Sequence, residues 1–137
     1  MHTSTPRSAQ LYEAIYVSTI SPDMPISSVA DIASKARIAN AQHGITGLLI
    51  FDGMRYCQQL EGSQKQVVTL MEKITYDRRH INVEIIHLGE LASRRFKSFR
   101  LGYTTVEAPD ALERLEKLEG QAAITAFLAL LSQVDYV

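Results

Sequence analysis

Hydrophobic positions crowd the run from Leu11 to Ser18, which combines Tyr, Ile and Val, and Ser21-Pro22 closes it. The pattern predicts a first strand followed by a turn. Its two faces carry different chemistry: Tyr12, Ala14, Tyr16 and Ser18 share one side, while Ile15 and Val17 point to the other. The period then lengthens. Val29, Ile32, Ala33, Ala36 and Ala39 or Asn40 recur at helical spacing, behind a capping-box arrangement of Ser28 and Asp31. This helix brings Asn40 onto its inner stripe and stops at Gly44. Ile45 to Asp52 reads as a strand apolar on both faces, turned by Asp52-Gly53 into a third strand, Arg55 to Glu61. On that third strand Tyr56, Gln58 and Leu60 face one way and Cys57, Gln59 and Glu61 the other.

Gly62 and Ser63 open a second helix, with a capping box from Ser63 to Gln66 and an inner stripe of Val67, Leu70, Met71 and Ile74 that Asp77 continues. Val83 to Leu91 reads as a fourth strand, Ser93 to Lys97 as a basic turn and Phe99 to Thr104 as a fifth strand. The order βαββαββ predicts an α+β, ferredoxin-like sandwich with two helices on one face of a mostly antiparallel sheet. After Pro109 a helical hairpin is expected, Asp110 to Glu119 and Gln121 to Gln133, divided by Gly120. Its second helix has a wide apolar surface: Ile124, Phe127, Leu128 and Leu131, flanked by Ala123, Ala126 and Leu130. Part of this surface is expected to cover the sheet face where Ile15 and Val17 point. The rest is left for a partner or a second copy, or for packing wholly within the chain.

Composition adds bounds to this outline. The 137 residues, 46% hydrophobic and 21% charged with a net charge of −1, suit one globular domain. A nucleic-acid partner is not expected, since phosphate binding asks for a basic excess. Cys57 is the single cysteine and has no partner for an internal disulfide. No apolar run reaches the roughly 18 residues of a membrane span, and the opening MHTSTPRSAQ lacks the apolar middle of a secretory signal. The expectation is a cytoplasmic protein, away from membranes, with a flexible segment over residues 1–10, a domain over 11–105 and a helical extension over 109–134.

The chemistry lies in polar side chains set at inward positions: Tyr16, Asn40, Gln58 and Asp77. Buried polar groups need partners. Two amides and a neutral phenol supply both donors and acceptors, so the set suits the edge of a planar, heteroatom-rich ligand; mutual hydrogen bonding is the simpler alternative. Asp77-Arg78-Arg79-His80 places cations at one mouth of the slot between the helices. They suit a ligand phosphate, or equally a solvated cluster at a helix C-terminus. Lys73, one turn earlier, either reaches inward or lies along the surface.

At these residues the sequence resembles the BLUF family of flavin-binding blue-light receptors, over about Leu11 to Tyr103. The resemblance rests on IYVS around Tyr16, Asn40 seven residues before Gly47 in NAQHGITGLL, YCQQLEG around Gln58, YDRRHINVEI from Tyr76 and SRRF at Ser93 to Phe96. It implies a flavin, FAD or FMN, held between the two helices with Ile32 and Ile74 against its ring. Asn40 and Lys73 would meet the ring carbonyls, and Asp77, Arg79 and His80 the ring edge and ribityl-phosphate. Gln58 would sit between flavin and Tyr16, so that light-driven electron and proton transfer from Tyr16 leaves a rearranged glutamine network. The implied activity is light sensing without substrate turnover. Its output would be a light-dependent change in binding to a separate effector protein, in a chain expected to form a homo-oligomer. Phe99 and Leu101 stand where the family often has Trp and Met on the output strand, and a leucine offers no thioether contact.

Two other readings compete. A small ferredoxin-like enzyme would recruit Asp77, His80, His43 and His87, yet these show no helical metal-ligand spacing. A cofactor-free interaction module would use the apolar C-terminal helix alone.

Overall fold

The structure, a computed structural model, describes residues 10–104 and 110–136. The proposed flexible segment over 1–10 falls almost wholly outside the described residues, as does the link over 105–109. Strand β1 (Leu11–Ile20) is followed by a short 3-10 turn (Ile26–Ser28) and helix α1 (Val29–Gln42). The hairpin β2 (Thr46–Phe51) and β3 (Arg55–Ser63) leads into α2 (Gln64–Thr75), β4 (His80–Leu91) and β5 (Phe99–Thr104). Then come α3 (Ala111–Leu115), α4 (Gly120–Leu130), a 3-10 turn (Leu131–Gln133) and β6 (Val134–Tyr136).

The sheet runs β4-β1-β3-β2-β5-β6. Only β2 and β5 pair in parallel; the other neighbours are antiparallel. β1 and β2 flank β3, and β3 and β4 flank β1, so the two crossovers through α1 and α2 interleave, which is the ferredoxin-like arrangement expected from the element order. Strict alternation along the strands then divides the apolar residues between two cores. Ala14, Tyr16, Tyr56 and Leu60 pack under α1 and α2 with Val29, Ala33, Val67, Met71 and Ile74. Ile15, Val17, Ile50 and Cys57 pack on the opposite face under Leu112, Leu115, Ala123 and Phe127. The wide apolar surface of α4 is thus largely an internal one, with Leu128 left 40% exposed.

Several local expectations are corrected. Ser28 does not cap α1 through its side chain; its hydroxyl instead donates 2.6 Å to the Pro25 carbonyl, stabilising the turn before the helix. The second capping residue behaves as its motif demands: Ser63 Oγ accepts from the Gln66 amide at 3.3 Å. β4 begins at His80 rather than at Val83, because β1 is long enough to pair as far as Ile20↔His80. The first C-terminal helix is five residues long, and Gly120 opens α4 instead of dividing two helices. β6, unforeseen from its length, pairs with β5 through Gly102↔Tyr136 and Thr104↔Val134. β5 is therefore an inner strand at that end, not the sheet edge.

Phe127 is fully buried in the core beneath α3 and α4. Phe127→Ala is expected to lower unfolding free energy by about 3–5 kcal/mol, measured by urea denaturation, while the opposite core under α1 and α2 is left intact across the sheet.

Candidate functional site

Between α1 and α2 the structure has a cavity of about 410 Å³. It is floored by Leu49 of β2 and Gln58 of β3, and walled by Ile32, Ala36 and Asn40 of α1 and Leu70, Lys73 and Ile74 of α2. Asp77, Arg79 and His80 form its far end. The sequence pattern thus brings together every inward polar residue it singled out except Tyr16, which is fully buried one layer deeper. Ala39 completes the lining together with two further residues, Leu49 and Lys35. Neither is flagged by the pattern, one being an ordinary strand leucine and the other a lysine ion-paired with Asp31 at 3.1 Å on the helix surface.

Tyr16 reaches the cavity through Gln58. The two residues stand opposite each other across β1 and β3, and the phenol donates a hydrogen bond to Gln58 Oε1. Burial holds the Tyr16 pKa well above its usual value of 10.0, with Cys57, Tyr56 and Asp77 adding smaller upward pushes against Arg79. The phenol is therefore neutral across the physiological range. With Oε1 taken by Tyr16, Gln58 retains its NH2 as the donor available to a cavity occupant.

Asn40 supplies the clearest sign of a missing partner. Its residue is 3% exposed, it lines the cavity, and its Nδ2 is buried without a hydrogen bond. A buried amide N–H2 left unpaired costs about 1–3 kcal/mol, so an acceptor on a ligand there would be stabilising. At the far end Asp77 and Arg79 form a forked ion pair, Nε to Oδ1 at 3.0 Å and Nη2 to Oδ2 at 2.5 Å. The hydrogen bond from Arg79 holds the Asp77 carboxyl below its usual range. His80 is fixed by Ser18 Oγ at 2.9 Å and lies edge-on to Tyr16, with ring centroids 6.0 Å apart. An apolar slot bounded by Ile32 and Ile74, with one unpaired amide on its wall and the Asp77–Arg79 pair at one end, fits a flat heterocycle with a polar edge.

Of the residues proposed for the enzyme alternative, Asp77 and His80 share the cavity, while His43 and His87 lie outside it. His87 lies on the opposite side of the sheet, 3.4 Å from Glu13, and His43 caps α1. Among the described residues no three His, Cys, Asp or Glu side chains are placed to hold a metal ion. Burial pushes the Cys57 thiol pKa up, as suits a core residue. No helix among the described residues is long and apolar enough to cross a membrane.

A second polar cluster escaped the sequence pattern. Glu13, Gln59 and Glu61 are at most 1% exposed and lie on the sheet face away from the cavity. Alternation places Gln59 and Glu61 on that face with Cys57 but does not name the partners they meet there. Their only sequence-level signal was the basic run that pairs with them.

Comparison with known proteins agrees with this geometry. The family described as sensors of blue-light using FAD, BLUF, matches residues 11–102. The blue light- and temperature-regulated antirepressor BluF of Escherichia coli (strain K12) is 35% identical over 82 residues, 60% of this chain and 20% of that protein. Photoactivated adenylate cyclase subunit beta of Euglena gracilis is 34% identical over 83 residues, 61% of this chain and 10% of that protein. The chain therefore spans a fifth or less of these curated relatives. The dark-state structure of BlrB, a BLUF protein, superposes with a TM-score of 0.74 at 24% identity, covering 90% of this chain and 96% of the other, a likeness of fold. Klebsiella pneumoniae BlrP1 with FMN and cyclic diGMP superposes with a TM-score of 0.64 at 29% identity, covering 88% of this chain and 30% of that one.

The far end of the site carries a pH signature. Burial lowers the His80 pKa below 6.5, with Asp77 pulling it up and Arg79 pushing it down. Between the unfolded and folded values the unfolded chain binds more protons, so stability falls as pH drops through about 6.5. Asp77 and Glu13, both held below their ordinary 3.8 and 4.5, extend the loss at lower pH. Urea midpoints should decline from about pH 7.5 to about pH 5.5, and His80→Asn should flatten that decline while leaving the carboxylate step.

Proposed function

The chain belongs to the BLUF family of blue-light sensors using FAD, and on that premise we propose that it signals by rearranging the Tyr16–Gln58 hydrogen bond. The single observation that carries this reading is the layered order of cavity, Gln58 and fully buried Tyr16. When bound, the isoalloxazine supplies blue absorption and, once excited, an acceptor for an electron and a proton. Every other element of the response belongs to the chain.

Asn40 meets the polar edge of the ring with its unpaired Nδ2, and Lys73 approaches from α2. Ile32 and Ile74 press on the ring faces and exclude water. The Asp77–Arg79 pair and His80 hold the ribityl-phosphate end, a role that the charge and position of Arg79 support. Tyr16 is kept protonated by burial, so it has a proton to give, and Gln58 would relay it, accepting at Oε1 while its NH2 releases a proton to the cavity occupant. An amide has two nearly isosteric ends of opposite hydrogen-bonding sense. Reversal of Gln58, by rotation or tautomer, exchanges donor for acceptor toward both Tyr16 and the cavity in one step.

Output is assigned to β5 and to the helical extension over 109–134, acting on a separate effector protein. Phe99 and Leu101 are buried in the core that holds Tyr16, and Leu101 is in register with Leu49, which lines the cavity. Arg37 of α1 ties in as well, its Nε donating 3.1 Å to the Phe99 carbonyl. Self-association is part of the same reading, supported by the exposed apolar side chains Ile85 and Leu88 on the edge strand β4 and Leu128 on α4. The antirepressor and cyclase functions named for the relatives concern much longer proteins, and each is a proposal only for the kind of effector involved.

The purified protein should show an oxidised flavin spectrum that moves slightly to the red under blue light and recovers in darkness. Tyr16→Phe and Gln58→Leu should each keep the flavin and lose the shift. A protein that takes up no flavin on reconstitution, or a variant whose photocycle is unchanged, would overturn the assignment.

A further inference from the structure

Gln58 and Gln59 are consecutive on β3 and point to opposite faces of the sheet. Gln58 floors the cavity; Gln59 is fully buried on the far side. There its Nε2 donates to two carboxylates at once, 2.8 Å to Glu13 Oε2 and 2.9 Å to Glu61 Oε1. Arg95 closes the ring with a forked pair to Glu13, Nε at 2.5 Å and Nη2 at 3.2 Å. Both oxygens of Glu61 are taken by the loop between β4 and β5 and by β2. Oε1 accepts from the Arg95 amide at 2.9 Å, and Oε2 accepts from the Phe96 amide at 3.0 Å and from Thr46 Oγ1 at 2.6 Å. Arg94 adds bonds to Thr46 Oγ1 at 2.8 Å and to the Gly44 carbonyl at 2.9 Å.

The cluster is built tightly around Gln59. A Cβ at Gly47, whose φ is +149°, would stand 1.9 Å from the Gln59 carbonyl oxygen and 3.0 Å from its Oε1. No larger residue fits at that point of β2, and Gln59 Oε1 is buried without a partner. The side chain is therefore gripped at its NH2 end alone. The Gln59 NH2 thus links residues 58 and 59 of β3 to Glu61, and Glu61 holds main-chain N–H groups of the loop that leads into β5.

We propose that Gln59 is a positioning residue that couples Gln58 to the β4–β5 loop through Glu61, so that the state of the light-sensing hydrogen bond is read on the opposite face of the sheet at the Arg95 and Phe96 amides. The coupling rests on the function proposed above. Its path differs from the buried Phe99 and Leu101 side chains: it crosses the sheet along the β3 backbone and reaches β5 through the loop before it.

The test is residue-resolved amide hydrogen exchange of the flavin-loaded protein, in the dark and under blue light, alongside its visible spectrum. In the parent, exchange at Arg95 and Phe96 should change about tenfold on illumination, the scale set by weakening one net hydrogen bond. Gln59→Met keeps the length of the side chain and removes its donors; the red shift should persist while the light-dependent change at those two amides is lost. Glu61→Gln, read in the same way, serves if Gln59→Met does not fold. A normal red shift without any light-dependent change at these amides in the parent, or a folded variant that keeps the change, would overturn the coupling. A parent without a red shift would instead sink the proposed photochemistry. The mechanical link then stands or falls on the dark arm, where Gln59→Met should lower protection of both amides about tenfold and unchanged protection refutes it.

Discussion

The register of β1 against β3 is the constraint on which the rest depends. It sets Tyr16 opposite Gln58, Ile15 opposite Gln59 and Glu13 opposite Glu61. A slip of one residue would send every side chain on the strand to the other face. Tyr16 would then lie among the residues beneath α4, and Glu13 would turn toward the core under α1 and α2. Two cores of different character hold the register in place. The apolar pairs Ala14–Leu60 and Val17–Cys57 bury on opposite faces, and each would be exposed to the wrong environment by a slip.

The same strand pair carries the polar chemistry of both faces. On the cavity side, a phenol kept neutral by burial meets an amide whose other end faces the cavity. On the far side, burial raises the Glu13 pKa, but hydrogen bonds from Arg95 and Gln59 and the charges of Arg95 and His87 outweigh it, leaving the carboxyl below 4.5. Buried carboxylates of this kind are costly unless every lone pair is met, and Glu61 meets that demand with main-chain N–H groups of a loop. A loop held by a buried charge is ordered by electrostatics rather than by packing. It is also exposed to any change in the groups that share that charge.

Much of this was legible in the sequence because alternation is a strict rule on strands. The faces of Tyr16, Gln58 and Cys57 follow from counting by two, and the inner stripe of α2 from counting by three and four. Asn40 and Asp77 could be placed by the same means. What periodicity missed shares a common cause, namely that partners far apart in the chain decide it. Ser28 resembles a cap, but the carbonyl of Pro25 takes its hydroxyl. Nothing local announces that Arg95, Gln59 and the Phe96 amide will surround Glu13 and Glu61. β6 is three residues long and has no pattern to detect; only the open side of β5 makes it a strand.

That last pairing has a thermodynamic consequence for recognition. An outside strand seeking to add itself to β5 meets no vacant edge at Gly102 to Thr104, because β6 already occupies those backbone positions. The occupant is tethered, and a tethered strand competes at an effective concentration of roughly millimolar. Were the intrinsic affinity of β6 for that edge micromolar, a free peptide would lose about three decades to the intramolecular rival, whatever its own affinity. Short as it is, β6 makes the inner half of the sheet selective by competition, without any contact to the would-be ligand.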